Sequence, residues 1–567
     1  MTPPWQLHPA ESNPLRDELN RELGIHPVIA GILQRRGVTT LEEARRFLQP
    51  RLEHLHDPFL LKGMEEAVAL IVRTLASNGR IVISGDYDVD GVTASALLGQ
   101  FLRDSGSENL DIFIPSRFDH GYGLTAAATE ALLERNPDLV ITVDNGITAV
   151  EEVALLQSAG VATIITDHHM PREAGIPPGI VINPLQPGCP YPFKAISGCG
   201  VAFKLVMALR KRLREAGWWN PQRPEPNIKN CLDLVAIGTI ADVVPLLGEN
   251  RVITHFGLEM LNRPDRRAGV EALLSFGRPE PVSAHTVAFR IGPRINAAGR
   301  MAEGSLAVDL LLAENGERAM ALAQRLESEN DKRRAKGAEM QREAEALVTG
   351  DGASPSAGIV VCSPSFHEGI IGITAARLVD KFHRPAVVMA ENGDNLKGSA
   401  RSLPGINVTK ALESCADLLI AFGGHPGAAG CKLPRKNLPQ FRERFAQACA
   451  EMTPNGEPPP TFLDGRLDPS TLSEAFVQQL AQLEPFGHQN EEPAFLVEQN
   501  ELKTAPEMFG KGHAKWRLPG RAEMIAWRAD ESLRNPHPET TYRVRAEINR
   551  YRGARNLQLI VEDFSRE

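Results

Sequence analysis

The chain has 567 residues, 42% of them hydrophobic and 23% charged, with a formal net charge of -9. That balance excludes a disordered or fibrous chain and is too long for one hydrophobic core, so three or four domains are expected. The acidic total also excludes attraction of nucleic acid by the field of the whole molecule, which leaves only a local basic groove for that purpose.

The first residues, Met1 to His8, show no basic stretch followed by an apolar run. No later segment reaches the roughly 18 uninterrupted apolar residues of a membrane span. Neither export nor membrane spanning is expected. Cys189, Cys199, Cys231, Cys362, Cys415, Cys431 and Cys449 are scattered without a C-x-x-C pair. This suits thiols kept reduced in a cytoplasm and assigns them neither metal nor disulfide.

After an N-terminal segment over 1–60, short apolar runs alternate with helical patterns. Arg80 to Ser84, Leu110 to Ile114, Leu139 to Val143 and Ala162 to Thr166 read as strands, separated by helical stretches such as Thr125 to Glu134 and Thr148 to Ala159. This spacing predicts an α/β region with a parallel sheet and helices on both faces. Beyond Ala302 the pattern becomes a long helix with a charged middle, Glu327 to Arg334, a solvated connection between two lobes. A second α/β region opens with Gly358 to Cys362 and holds the glycine-rich Gly423 to Gly430. Pro454 to Pro460 reads as a linker. Tyr542 to Ile548, a turn at Arg552-Gly553-Ala554, and Leu557 to Val561 predict a hairpin in a small all-β domain. The resulting divisions are 1–60, 61–302, 303–350, 351–453 and 461–567.

Chemistry concentrates at the strand ends. Asp86, Asp88 and Asp90 follow the first strand in Gly85-Asp86-Tyr87-Asp88-Val89-Asp90-Gly91, at the carboxyl edge where parallel sheets place ligands. Three carboxylates this close repel one another unless cations neutralise them. An EF-hand loop begins the same way, but its twelfth position here is Leu97 in place of a bidentate Glu, and a strand precedes it. Asp144 closes the third strand and Asp167-His168-His169 the fourth. Asp242 follows the apolar run Leu232 to Ile237, where a helix cap or turn residue is the competing reading. Together these residues suit a pair of divalent ions such as Mn²⁺ or Mg²⁺, and they lack the thiolates of structural zinc. Two such ions can activate a water and stabilise charge on a phosphoryl group, so phosphoester hydrolysis is the expected chemistry.

The stretches Asp86-Tyr87-Asp88-Val89-Asp90-Gly91, Val143-Asp144-Asn145-Gly146, Asp167-His168-His169 and Gly238-Thr239-Ile240-Ala241-Asp242 resemble, in order, the four signature motifs of the DHH phosphoesterase family. The first motif and Gly238 to Leu246 are similar to its single-stranded-DNA exonuclease branch in particular. The resemblance spans roughly Pro27 to Asp563. It implies a two-lobed core of a DHH domain and a DHHA1-type domain, joined by the long helix, with a C-terminal OB-like β-barrel. It further implies that Asp88, Asp90, Asp144, His168 and Asp242 hold two divalent cations, Mn²⁺ or Mg²⁺, with Asp144 bridging. Asp86 would orient the attacking water or support a ligand, and His169 would face the scissile phosphate.

Arginine recognises phosphate through two parallel hydrogen bonds and a permanent charge. Arg117, just after the second strand, is one candidate, although a lone arginine is usually solvated surface. Arg294 is another, in a segment where Arg290 and Arg300 also crowd among glycines and alanines. Lys397 to Ser402 and Gly423 to Gly427 resemble the substrate-binding motifs of the DHHA1-type domain, which implies that Ser399 and Arg401 grip a 5′ terminal phosphate and that His425 approaches the phosphate. Phe366 to Gly372 also matches the branch, with His367 as a helix cap. Trp516, Trp527, Tyr542 and Tyr551 lie among a slight excess of Lys and Arg, as in a groove that stacks bases, although such aromatics are often core.

The residues alone give metal-dependent phosphoester hydrolysis; the resemblance implies a 5′-to-3′ single-stranded-DNA exonuclease of recombination and repair that releases 5′-mononucleotides, cytoplasmic and monomeric, with a single-strand-binding protein and a helicase as partners. Two rivals remain. A DHH enzyme acting on small nucleotides or oligoribonucleotides would not need the domain after Pro460. A non-catalytic DNA-binding scaffold of the same fold should have lost acidic ligands, and here every acidic position is filled.

Overall fold

The computed structural model describes all residues except 1–4, 10–13, 118, 122, 173–174, 278–280, 302–303, 351–355, 453–459, 511, 530, 552–553 and 567. The linker expected at Pro454 to Pro460, except Pro460, the turn residues Arg552 and Gly553, the boundary at Ala302 and the Tyr551 side chain lie outside what is described. Two compact units result: His8–Glu327 with Leu463–Glu567, and Met1–Leu7 with Ser328–Phe462.

In the larger unit, five parallel strands stand in the order Leu110–Phe113, Ile81–Ser84, Leu139–Val143, Ala162–Thr166 and Ile180–Ile182. Ile81–Ser84 and Leu139–Val143 are buried at every position, because helices cover both faces and no polar alternation is needed. One face packs on Val68, Ile71, Leu98, Leu205 and Leu209, the other on Leu132, Val153 and Leu156. The chain moves from Ile81–Ser84 outward to Leu110–Phe113 and then returns to the opposite side as Leu139–Val143. This reversal opens a crevice at the carboxyl ends of the two central strands. Register places Ser84 opposite both Phe113 and Thr142, and Val143 opposite Thr166, so the residues that follow emerge from one edge. The fifth strand, Ile180–Ile182, is too short and too near loop residues to stand out in the sequence.

The N-terminal helices Pro14–Leu23, Pro27–Arg35 and Leu41–Leu48 share a core with the C-terminal β domain: Leu19, Ile29, Leu33 and Phe47 pack with Phe476, Phe495, Met524 and Leu559. Arg251 joins these parts to the parallel-sheet domain. Its guanidinium lies 3.9 Å from the Phe47 ring centre and donates to the carbonyls of Phe47 (2.8 Å), Leu483 (2.7 Å) and Gln482 (2.8 Å). The β domain is a seven-stranded sheet in the order Gly465–Arg466, Phe495–Glu498, Thr540–Tyr551, Ala554–Arg566, Glu523–Ala526, His513–Arg517, Glu507–Phe509. Trp516 and Tyr542, expected among the base-stacking faces, are fully buried and meet edge to face at 5.3 Å, so they belong to the core. Trp527 is exposed.

The smaller unit holds a mixed sheet in the order Ala421–His425, Ala428–Pro434, Asn395–Arg401, Ala386–Asn392, Ile359–Ser363, in which only the last pair is parallel. The glycine-rich run forms the Ala421–His425 and Ala428–Pro434 hairpin. The expected long helix is Gly316–Thr349, preceded by a separate short helix, Ser305–Leu311, and its charged middle coincides with the division between the units.

Candidate metal centre

Asp88 caps the helix Val89–Asp104, accepting from Asp90 N (3.0 Å) and Gly91 N (3.1 Å). This capping fixes how the chain turns from strand to helix and sets Asp90 in a buried first turn. Gly91 is required there, since a Cβ would lie 2.6 Å from Asp86 N. Asp90 in turn accepts from Gly198 N (2.6 Å) and Cys199 N (3.0 Å), at the start of the helix Gly198–Glu215. A helix N-terminus is where a carboxylate is best stabilised, and each oxygen keeps a further lone pair.

Asp144 has φ +61°, a left-handed conformation that costs a non-glycine residue energy. Asn145 holds it there by donating to Ser84 O (3.2 Å) and Val143 O (2.9 Å), which ties the two central strand ends together. A Cβ on Gly198 would lie 2.4 Å from Asp144 Oδ1, so only glycine permits this approach. Asp144 Oδ1 is 3.1 Å from His168 Nε2, which lies 3.6 Å from Asp242 Oδ2 and 3.9 Å from Asp90 Oδ2. Asp242 terminates the helix Leu232–Ala241. Three sets of donor atoms, Asp86/Asp88/Asp144, Asp144/His168/His169 and Asp90/His168/Asp242, each fall within 4.8 Å of one another. The sequence-predicted ligands are thus brought together, and Asp86 with them.

Charge at this site is poorly compensated. Burial first, then the neighbouring carboxylates, raises Asp86, Asp90, Asp144 and Asp242 above the ordinary range. Burial and then the charge of His169 lower His168 to about 4, which keeps its imidazole neutral as a metal ligand requires. Asp86 Oδ2, Asp144 Oδ1 and His168 Nε2 are buried without a hydrogen-bond partner among the described residues, since the 3.1 Å approach of the last two lacks hydrogen-bond geometry. Orphaned buried acceptors beside unneutralised carboxylates fit a cation centre, and an oxygen-rich set with one or two imidazoles fits Mn²⁺ or Mg²⁺.

Asp167, quoted in the motif but given no role there, positions the histidines. It accepts from His169 Nδ1 (2.7 Å), His168 N (2.7 Å), His169 N (3.0 Å) and Ile147 N (2.9 Å). Burial would raise its carboxyl, but these hydrogen bonds and histidine charges outweigh it and bring it below the usual value. Burial would likewise lower His169, yet the Asp167 hydrogen bond and carboxylate charges raise it to about 9. The one signal in the sequence was the acid directly preceding two histidines. The helix N-terminus that cradles Asp90 carries no comparable signal, because its contact spans more than a hundred residues.

Of the phosphate-binding candidates, Arg117 stands near the centre, its guanidinium 5.5 Å from the Tyr87 ring centre and its charge opposing the rise at Asp86. Arg294 is turned elsewhere: it pairs bidentately with Glu327 (2.5 and 2.9 Å) and donates to Arg290 O (2.8 Å), an anchor for the helix Gly292–Met301. In the smaller unit, Arg401 donates to Ser399 Oγ (3.0 Å) and Ala400 O (2.8 Å) beside the start of the helix Ile371–Phe382, where a Cβ on Gly372 would lie 2.9 Å from Arg401. His425 lies at the exposed end of its strand, and its carbonyl accepts from Thr409 Oγ1. His367 Nδ1 accepts from Gly369 N (3.1 Å), capping a turn one residue before the helix's own cap.

Residues 80–239 match the DHH family N-terminal domain, 356–451 the DHHA1 domain and 463–563 the RecJ OB domain. The chain is 35% identical over 562 residues to the single-stranded-DNA-specific exonuclease RecJ of Salmonella typhimurium, covering 95% of this chain and 96% of that one. The crystal structure of RecJ in complex with Mn²⁺ from Thermus thermophilus matches with TM-score 0.82 at 33% identity, over all of this chain and 80% of that chain. The corresponding Mg²⁺ complex gives TM-score 0.76 at 31% identity, over all of this chain and 78% of that chain. With its four motifs folded into one acidic centre and relatives matched over nearly its whole length, the chain belongs to the RecJ family of single-stranded-DNA-specific exonucleases.

Proposed function

We propose that the chain hydrolyses single-stranded DNA from the 5′ end, releasing 5′-mononucleotides in recombination and repair. The observation that carries this reading is the set of orphaned acceptors on Asp86, Asp144 and His168, gathered at the sheet's switch point.

Asp88, Asp90, Asp144, His168 and Asp242 would hold two divalent cations, with Asp144, a member of two of the three donor sets, serving both. When bound, such ions lower the pKa of a water and offset charge growing on the phosphoryl oxygens. Asp86, with one oxygen engaged by Tyr87 N at 2.8 Å and the other orphaned, would accept a hydrogen bond from the attacking water and aim it. His169, whose Nδ1 proton is held by Asp167, would turn its ring toward the scissile phosphate. Arg117 would neutralise a neighbouring phosphate. We assign Arg294 the anchoring of its helix through Glu327, in place of direct substrate contact.

In the smaller unit, Arg401 and Ser399 would receive the terminal 5′ phosphate, with His425 contributing from the glycine-rich hairpin. Among the described residues Arg401 has no carboxylate partner, as a group reserved for an anion requires. No described helix is long and apolar enough to cross a membrane. We place the enzyme in the cytoplasm, acting as a monomer on strand supplied by a helicase and a single-strand-binding protein. Incubation of 5′-labelled single-stranded and duplex DNA with Mn²⁺, Mg²⁺ or chelator tests the reading: mononucleotide release from single strands, abolished by chelator, is expected, and its absence in both metals refutes it.

A further inference from the structure

Among the described residues, the three most exposed large apolar side chains are Phe289 at 68%, Met170 at 64% and Val243 at 63%. Scattered apolar residues on a surface are ordinary, but the elements that carry these three meet around the acidic centre. Met170 directly follows His169 and Val243 directly follows Asp242, and the 3.6 Å between His168 Nε2 and Asp242 Oδ2 brings their segments together. Phe289 lies on the π-helical turn Val287–Ile291, which packs against the helix ending at Asp242. A Cβ on Gly292, just past that turn, would lie 3.6 Å from Ala241 Cβ and 3.9 Å from Val89 Cγ2.

Two of the three are displayed in an unfavourable backbone. Val243 has φ +60°, a genuine outlier for a β-branched residue. The π-turn under Phe289 is a rare geometry that recurs at functional sites. The Phe289 ring is backed by His285, with centroids 4.5 Å apart and planes tilted by 33°. Apolar surface displayed at such a cost beside the acidic centre calls for an apolar occupant there. A nucleic acid strand has one such part, the faces of its bases. In a duplex those faces are stacked; in a single strand they are available.

Resting on the nuclease reading above, we propose that Phe289, Val243 and Met170 form a rim that receives unstacked nucleobases of the strand whose phosphate lies at the acidic centre. The rim would hold the strand in register independently of sequence, because every base presents a π-face. Paired and stacked nucleotides would be refused, since their bases cannot reach it.

The test couples enzyme and substrate. Wild type, Phe289→Ala, Phe289→Leu and Phe289→Trp are compared by kcat/KM on single strands bearing one abasic site, moved along the first several nucleotides. Phe289→Ala should lose roughly 5- to 100-fold on intact strand, Phe289→Trp little, and Phe289→Leu an intermediate amount. At one abasic position wild type should show the same loss, and Phe289→Ala should lose nothing further there. Losses that simply multiply at every position, or an unchanged Phe289→Ala, would overturn the rim while leaving the nuclease intact. Wild type inactive on every single strand would remove the nuclease reading and the rim with it. Should Phe289→Ala fail to fold, the Phe289→Leu and Phe289→Trp pair carries the same cycle.

Discussion

Two buried polar clusters lie in the same parallel-sheet domain, and they differ in how completely their charges are met. Around Glu249, also buried, every charge has a partner: Lys204 donates to its Oε1 (2.5 Å) and to His56 O (2.9 Å), His56 N to Oε1 (2.7 Å), and the Tyr191 hydroxyl to Oε2. Around Asp144 four carboxylates crowd together, three acceptors are orphaned and one backbone is left-handed. The first cluster is what folding produces when charge is buried for structure, here to fasten the extended segment near His56. The second destabilises the ion-free fold and is retained for what it binds.

The largest effect should separate the clusters outright. Asp144→Asn should bring turnover below detection while leaving single-strand binding measurable, and should raise the thermal midpoint of the ion-free protein by removing a buried carboxyl whose ionisation the fold penalises. Activity retained by the purified variant would take Asp144 out of the centre, and a lowered midpoint would show its carboxylate to be structural. Lys204→Met should do the reverse, lowering stability by about 3–5 kcal/mol because it strands Glu249, with activity per folded molecule preserved. Pairing it with Glu249→Leu should restore much of the loss, which denaturant titration of both variants would measure.

Cation binding should relieve the strained cluster. At a hundredfold excess over Kd, Mn²⁺ should stabilise the wild type by about 2.7 kcal/mol, and the Asp144→Asn protein by much less. The sign with pH follows from the raised carboxyls. In the ion-free fold they hold protons that the unfolded chain has already released, so their contribution to stability is present at low pH and lost as pH rises. A cation must displace those protons, and its stabilising effect should therefore grow from about pH 6 to about pH 8. A midpoint increment that shrinks over this range would contradict the assignment.

Arg401 extends the contrast to the smaller unit, since burial lowers its pKa and no carboxylate among the described residues offsets it. If it receives the terminal phosphate, Arg401→Ala should cost about 1.5–3 kcal/mol more on 5′-phosphorylated than on 5′-hydroxyl strands, read from kcat/KM. Equal losses on both, mimicked by salt, would make it a general cation of the groove.

The N-terminal helices alter one simple experiment. A cut before Leu463 would strip Phe495, Met524 and Leu559 from the core they share with Leu19, Ile29 and Phe47, so a chain ending there should expose apolar surface and aggregate. The sequence led to the expectation of a linker but gave no sign of this shared core, which joins segments more than four hundred residues apart.

Local rules wrote much of the molecule into its sequence. Continuous β-branched runs specify buried parallel strands, as at Leu139–Val143 and Ala162–Thr166, whose observed bounds are those expected. Acids and histidines directly after such runs must emerge at one edge, so Asp86, Asp88, Asp90, Asp144, His168 and His169 were legible as candidates before the fold was seen, while the role of each came from the resemblance. Contacts between distant segments left no local trace. That Trp516 and Tyr542 fill a core, that Arg294 meets Glu327, that Asp90 rests on the helix beginning at Gly198 and that Phe289 stands beside the helix ending at Asp242 were decided by tertiary packing. Such contacts depend on which surfaces meet, and residue type and spacing within one segment do not encode that.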